Sequence, residues 1–179
     1  AGGGLDFEDT NDAATASGLD CGASFNVAAD TNFLSFLVAN FETLDSNCYL
    51  SDSNQETFTQ HSTIITTFKT VDDGGVNLNH SATYSIATGE KVLIMIHRTA
   101  EDTGTLKCYK NGLVHDPSSA APGTFDIRNV GSKNDTSKFF DGIIYDIGIV
   151  SGALATDENR RRITDYLLSK HGIARLAND

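Results

Sequence analysis

Short apolar segments alternate with polar clusters along most of the chain. Segments rich in β-branched or aromatic residues stand between groups of Gly, Asn, Asp and Ser. They are LDFED, FLSFLVANF, STIITTFKT, GGVNLN, ATYSIAT, KVLIMIHRT, TLKCYK, TFDIRNVG and FFDGIIYDIGIV. Strands and turns at this spacing predict an all-β sandwich or barrel. KVLIMIH is apolar almost throughout, which predicts a central strand covered on both faces.

Asn111-Gly112 is the sharpest local signal for a turn. It lies between two extended segments in TLKCYKNGLVHD. Asn and Gly tolerate the positive φ angles of a two-residue type I′ turn, whose twist matches that of the strands it joins. The dipeptide therefore predicts a β-hairpin.

Residues 156–171 predict one amphipathic helix near the end of the chain. Thr156 is a candidate N-cap, and Gly172 suits the left-handed position that follows the last helical turn. The side chains expected to face the protein are Ile163, Tyr166 and Leu167, and those expected to point elsewhere are Arg160, Arg161, Asp165 and Lys170.

Length and charge narrow the class of protein. The chain has 179 residues and a formal net charge of −11. This length suits one domain, over residues 1–179. A strong acidic excess opposes binding to nucleic acid, whose affinity for proteins comes largely from Lys and Arg. No stretch approaches the ~20 apolar residues of a membrane-spanning helix.

The three cysteines, Cys21, Cys48 and Cys108, show no C-x-x-C spacing. Their number is odd, so neither a zinc site nor a complete disulfide framework is indicated. We expect free and mostly buried thiols, with a Cys21–Cys48 disulfide as the alternative.

Three segments together resemble concanavalin A-like, laminin-G-like jelly rolls. LDFEDTNDAATASG is similar to their first strand and acidic turn, and GTLKCYKNGLV is similar to their penultimate hairpin. FFDGIIYDIGIVSGALATDENRRRITDYLLSKHGI is similar to their final strand and helix. The resemblance implies a two-sheet antiparallel jelly-roll sandwich whose last strand returns beside the first, with one C-terminal helix. Versions with this helix are familiar from bacterial surface proteins and bacteriophage virion proteins.

Catalysis is not indicated. Enzymes of this fold cleave polysaccharides with carboxylates in a Glu-x-Asp-x-x-Glu pattern on one strand, because a retaining glycosidase needs its two carboxyl groups ~5 Å apart. The chain lacks this pattern, and the nearest candidates are the pair Asp6 and Glu8 and the lone Asp146. We therefore predict no enzyme activity and no required cofactor.

A calcium site is one interpretation of the oxygen-rich turn in EDTNDAA. Asp9, Asn11 and Asp12 supply hard oxygen ligands there, and Asp141 or Asp146 comes near if the first and last strands pair. The favoured alternative is an ordinary turn in which Asp and Asn bind their own backbone.

Glycan binding is the other hypothesis. Tyr49, Tyr84 and Tyr109 are candidate rings for stacking on a sugar, as is Tyr145. The chain has no Trp. Tyr109 and Tyr145 lie in predicted strands, so packing within the protein is favoured for them.

These patterns together predict a non-catalytic jelly-roll module in a multimeric surface assembly, on a virion surface or otherwise extracellular. A capsid decoration, fibre or tail component of a bacteriophage is favoured, with contacts made by loops and the sandwich edge. Expected partners are proteins of the assembly, glycans or a second copy of the chain. The alternatives are a carbohydrate-binding lectin-like module and, third, a degenerate glycoside hydrolase.

Overall fold

The computed structural model describes residues 5–7, 19–44, 47–51, 56–62, 65–70, 74–79, 85–99, 105–115, 123–132 and 139–176. Within these residues the chain forms twelve strands, one 3-10 turn and one α-helix. The strands are β1 (Leu5–Phe7), β2 (Leu19–Val27), β3 (Phe33–Phe41), β4 (Asn47–Ser51), β5 (Glu56–Ser62), β6 (Ile65–Thr70), β7 (Gly74–Asn79), β8 (Lys91–Thr99), β9 (Thr105–Lys110), β10 (Leu113–His115), β11 (Phe125–Val130) and β12 (Gly142–Ser151). The 3-10 turn is Gly152–Leu154, and the helix α1 is Asp157–His171.

The strands form two six-stranded antiparallel sheets. One sheet has the order β1-β12-β3-β8-β9-β10 and is called the helix-covered sheet below. The second sheet has the order β2-β11-β4-β5-β6-β7. The first strand pairs with the last, since Leu5 is opposite Ile144 and Phe7 is opposite Gly142. The predicted two-sheet jelly-roll sandwich with a C-terminal helix is confirmed.

Apolar side chains from both sheets fill the space between them. Phe33 of the helix-covered sheet lies edge-on to Phe125 of the second sheet, with ring centroids 4.8 Å apart. Edge-on packing of this kind is favoured by the ring quadrupoles. β8 is central, as predicted from KVLIMIH: Val92, Ile94 and Ile96 face this inner core, while Leu93 and Met95 face outward beneath α1.

Arg98 joins the two sheets at one end of this core. Its side chain is fully buried and donates hydrogen bonds to the carbonyl oxygens of Ala28, Thr31 and Gly123. Ala28 directly follows β2, and Gly123 lies just before β11. The guanidinium therefore holds the ends of two second-sheet strands against β8.

Helix α1 covers the outer face of the helix-covered sheet. The Thr156 side chain caps its first turn by accepting from the backbone N–H of Asn159, and Gly172 follows its last turn at φ 64°. Both capping predictions are confirmed. Leu167 and Leu168 are buried against Leu34, Val38 and Leu93.

The face of α1 that contacts the sheet is only partly the predicted one. Tyr166 is 62% exposed, whereas Arg160 is buried, so both expectations were wrong. Residues 160, 164, 167, 168 and 171 fall on one face at about 100° per residue, and Tyr166 lies well outside that arc. Arg160 is accommodated because its guanidinium lies 4.1 Å from the centroid of the Tyr109 ring and binds Asp157.

The Asn111-Gly112 turn is also as predicted. The φ angles are 49° and 87°, and Leu113 is opposite Lys110 in the hairpin formed by β9 and β10. The C-terminal segment returns over this turn, since Leu176 N–H donates to the carbonyl oxygen of Asn111 at 3.1 Å. The tail thereby fastens α1 to the hairpin.

Two further expectations have clear outcomes. The three cysteines are free, as predicted, with Cys21 exposed and the other two buried.

The predicted strand ATYSIAT is not found over residues 85–88, because the chain turns there at Gly89, which has φ 77°. Among the described residues, no helix is long and apolar enough to cross a membrane.

Candidate binding cleft at the open side of the sandwich

The open side of the sandwich lies between the edges formed by β12 and β2. The described residues of β1 pair with β12 from Gly142 to Ile144, and no described strand pairs with that side of β12 from Asp146 to Ser151. β2 is the edge of the second sheet, with every residue from Leu19 to Asn26 exposed. An uncovered strand edge presents unpaired N–H and C=O groups to a partner.

A cleft of about 230 Å³ opens between these edges. Its lining is formed by Phe25, Leu50, Ile127, Val130, Ile147, Gly148 and Ile149. Phe25 is opposite Ile127 in the ladder between β2 and β11, so the two side chains share the inner face. The cleft is thus an extension of the apolar core that the sandwich leaves open.

The β12 wall depends on a glycine. A Cβ atom on Gly148 would lie 2.5 Å from Cζ of Phe36, a residue packed against the apolar cluster under α1. A glycine therefore lets the Phe36 ring cover β12 from the outer face. Ile147 and Ile149, on either side, pack against the inner core and line the cleft.

A bulge shapes the opposite wall. Ile127 is opposite Phe25 and Asn129 is opposite Asp20, so the four residues 21–24 of β2 face the single residue Arg128. Such insertions bend a strand and interrupt its ladder. Arg128 binds both carboxylate oxygens of Asp20, and this hydrogen bonding lowers the pKa of Asp20 to about 2. β2 is consequently an irregular edge, whereas β12 is regular beyond Asp146.

Large apolar side chains remain exposed along this side. Phe25 is 43% exposed and Leu19 is 48% exposed. Leu19 is opposite Val130, which lines the cleft. Contiguous exposed apolar surface is typical of interaction sites.

The predicted tyrosine platform is not assembled from the described residues. Tyr49 is 2% exposed and stacks on Phe58 in the core, where burial raises its pKa well above the ordinary value. Tyr109 is 5% exposed beneath Arg160. Neither ring has a free face for a sugar, and Tyr84 lies outside the described residues.

The predicted calcium ligands are only partly described. Asp9, Asn11 and Asp12 lie outside the described residues. Asp141 precedes β12 and Asp146 is its fifth residue, so the two are roughly 15 Å apart along the strand. They are too far apart to bind the same calcium ion. Among the described residues there is no group of three or more His, Cys, Asp or Glu side chains that could hold a metal ion.

Asp146 is bound to Lys170 and His171 at the end of α1. Its carboxylate accepts hydrogen bonds from Lys170, at 2.8 and 3.0 Å, and from Nε2 of His171. Desolvation, the largest single effect, raises the pKa of Asp146, but the bonds from Lys170 and His171 together lower it below the ordinary value. Asp146 therefore fastens the end of α1 to β12.

Comparisons with known proteins establish the fold. No family model matches the chain, and no curated protein matches it. The binding domain of botulinum neurotoxin serotype D is similar over 84% of this chain and 42% of its own length, at 14% identity and a TM-score of 0.51. A mutant of HCR/D is similar over 81% of this chain and 43% of its own, at 15% identity and a TM-score of 0.51.

The chain thus spans about two fifths of the length of these structures. At such identities the likeness shows the fold alone, which is the two-sheet antiparallel jelly-roll sandwich.

The cleft residues were not predictable from the sequence, for a topological reason. Ile147 and Ile149 alternate with Gly148 and Val150, which indicates a strand but not that one side of it is open. β2 was not predicted at all, because LDCGASFNV contains Asp, Gly and Ser in place of a clear apolar alternation. The available sequence signal for this wall was Phe25, a large apolar residue among mostly small or polar ones.

Proposed function

We propose that the chain is a non-catalytic binding module of a multimeric surface assembly, on a bacteriophage particle or a cell envelope, and that it contacts its partner through the open-side cleft. The observation that carries this proposal is the cleft itself. It joins a strand edge that no described strand covers to an exposed inward-facing side chain, Phe25. A sandwich edge of this kind suits protein–protein contact better than capture of a soluble polar molecule.

The state of Asp146 supports a non-catalytic role. A general acid must hold a proton at working pH. Lys170 and His171 lower the pKa of this carboxyl, which opposes a role as general acid, and their hydrogen bonds occupy its oxygens, which opposes a role as nucleophile or base. Its task is structural, in fastening α1.

Incorporation of matched variants tests the proposal. Phe25→Asp places a charge at the cleft, and Val114→Asp places one at a similarly exposed apolar residue on β10, 45% exposed against 43% for Phe25. We expect Phe25→Asp to be depleted at least about tenfold from purified particles or envelopes of the source organism, because a charge at an apolar contact is strongly unfavourable. Val114→Asp should be incorporated normally, and thermal melting should show both variants folded.

Two results would overturn the proposal. One is equal incorporation of the two variants, or absence of the chain from both particles and envelopes. The other is sugar-specific binding on a glycan array, with or without calcium, that persists in Phe25→Asp. That outcome would favour the lectin-like alternative at a different surface.

A further inference from the structure

We infer that the partner contributes an extended segment that adds to the edge of β12 left unpaired by the described strands and places alternate apolar side chains in the cleft. This inference rests on the proposed binding function and names the chemistry of the partner. The segment is apolar at every second position and carries Lys or Arg at its ends. Backbone, side chains and charge each point to it.

The backbone of β12 provides the template. Asp146 to Ser151 pair with β3 on one side without interruption, from Val38 to Phe33. On the other side none of the described strands pairs with them. Six residues at about 3.3 Å each give an edge roughly 20 Å long. Addition of a strand to such an edge is a general mode of peptide recognition, in which main-chain hydrogen bonds supply affinity.

The side chains of the cleft select the sequence of the added strand. Ile147 and Ile149 point toward the inner core on the β12 side, and Phe25 and Ile127 form the wall across from them. Neighbouring strands lie about 4.8 Å apart, and their side chains alternate between faces. A strand paired with β12 would therefore place every second side chain between these walls. Apolar side chains at those positions would bury Phe25, which is otherwise 43% exposed.

Charge distinguishes a foreign segment from a second copy of the chain. The chain carries a formal charge of −11, and a second copy would bring the same charge to the same edge. Asp20 and Asp146 on the bordering strands are already paired with Arg128 and Lys170, so the attraction comes from the net charge of the whole chain rather than from a local acidic cluster. Opposite charge on a partner speeds encounter and suppresses wrong pairing, so cationic ends are expected. The bulge at residues 21–24 further disfavours pairing of two β2 edges.

A synthetic peptide provides the direct test. The probe is Lys-Lys-Thr-Ile-Thr-Ile-Thr-Lys-Lys, and binding is measured by calorimetry with the full chain. We expect Phe25→Asp to weaken binding at least about tenfold and Val114→Asp to change it less than about twofold. A peptide with Glu in place of its four Lys residues should bind more weakly, and the difference should shrink as salt is added.

Backbone pairing is tested with unmodified protein, so the result does not depend on how any variant folds. Two further peptides carry N-methyl groups on alternate amides, one set in each. Because only one set of amides can face β12, one methylated peptide should lose at least about tenfold in affinity while the other retains most of it. Hydrogen exchange of the amides of residues 146–151 should slow when the unmethylated probe is bound.

The outcomes separate the inference from the function it rests on. Equal binding of the two methylated peptides, or protection away from residues 146–151, would overturn strand addition. A cleft-dependent dimer in sedimentation, lost in Phe25→Asp, would make a second copy the occupant and would also overturn the inference. If the probe does not bind but Phe25→Asp still loses incorporation, the binding function stands and the extended segment is rejected. If incorporation is unaffected as well, both fail.

Discussion

Replacing Gly142 with alanine is expected to destabilise the fold by about 2–4 kcal/mol. Gly142 begins β12 at φ 135°, a conformation that costs an L-residue about 1–3 kcal/mol. A Cβ atom there would lie 2.1 Å from the carbonyl oxygen of Asn40 and 3.1 Å from the amide nitrogen of Glu42. The strand must shift to relieve the contact, which strains the 2.9 Å hydrogen bond from Glu42 N–H to the Asp141 carbonyl. A lost backbone bond adds about 1 kcal/mol.

Gly172→Ala is the matched control. Gly172 also has a positive φ, 64°, but nothing lies within 4 Å of where its Cβ would be. That variant should lower the free energy of unfolding only by the strain of an alanine at positive φ, roughly 1–2 kcal/mol. Urea unfolding followed by circular dichroism measures both changes. If the two substitutions destabilise the protein equally, then close packing of β12 against Asn40 does not fix the start of the strand.

Three other predictions concern buried or paired charges. Arg98→Met should lower the free energy of unfolding in urea by at least about 3 kcal/mol, because three backbone carbonyl acceptors lose their donor. Arg98→Lys should lower it by less. A loss below about 1 kcal/mol in Arg98→Met would contradict a stabilising role for these three hydrogen bonds. Burial lowers the pKa of His97 from 6.5, so the unfolded chain binds a proton at higher pH than the folded chain does. The free energy of unfolding should therefore fall as the pH drops below about 6.5, and this pH dependence should be weaker in His97→Gln. The pKa of Asp146 is also lowered in the folded chain, so Asp146 adds to the free energy of unfolding above its unfolded pKa of about 4, and this stabilisation is lost as the pH falls further. Asp146→Asn should lack this loss of stability in acid. The same loss in that variant would exclude the contact.

Features that depend only on residues close together in the chain were predictable. The Asn111-Gly112 turn needs positive φ at two adjacent residues, and few dipeptides supply it. The ends of α1 follow from Thr156 and Gly172, whose capping roles depend only on their neighbours in the chain. The central position of β8 followed from a run of apolar residues too long to have an exposed face. Each signal lies within about ten residues.

Features that depend on distant partners were not predictable. Arg98 ends an apolar strand and suggests a solvent-exposed position, yet it is buried by carbonyl groups supplied by residues 25 to 70 positions away. Arg160 was expected to be exposed because it is charged, whereas the Tyr109 ring and Asp157 stabilise it inside. The cleft is the same case, since the wall formed by β12 faces Phe25 of β2, which lies near the other end of the chain.

The position of α1 determines which apolar surface is left for a partner. Leu167 and Leu168 already occupy the outer face of the helix-covered sheet, and the Asp146–Lys170 contact together with the Leu176–Asn111 hydrogen bond holds the helix there. A ligand approaching that face would have to displace α1 and break these contacts. The open-side cleft needs no such displacement, because Phe25 is exposed in the folded chain. Binding at the cleft should therefore leave the hydrogen-exchange protection of α1 unchanged, which distinguishes it from binding on the helix-covered face.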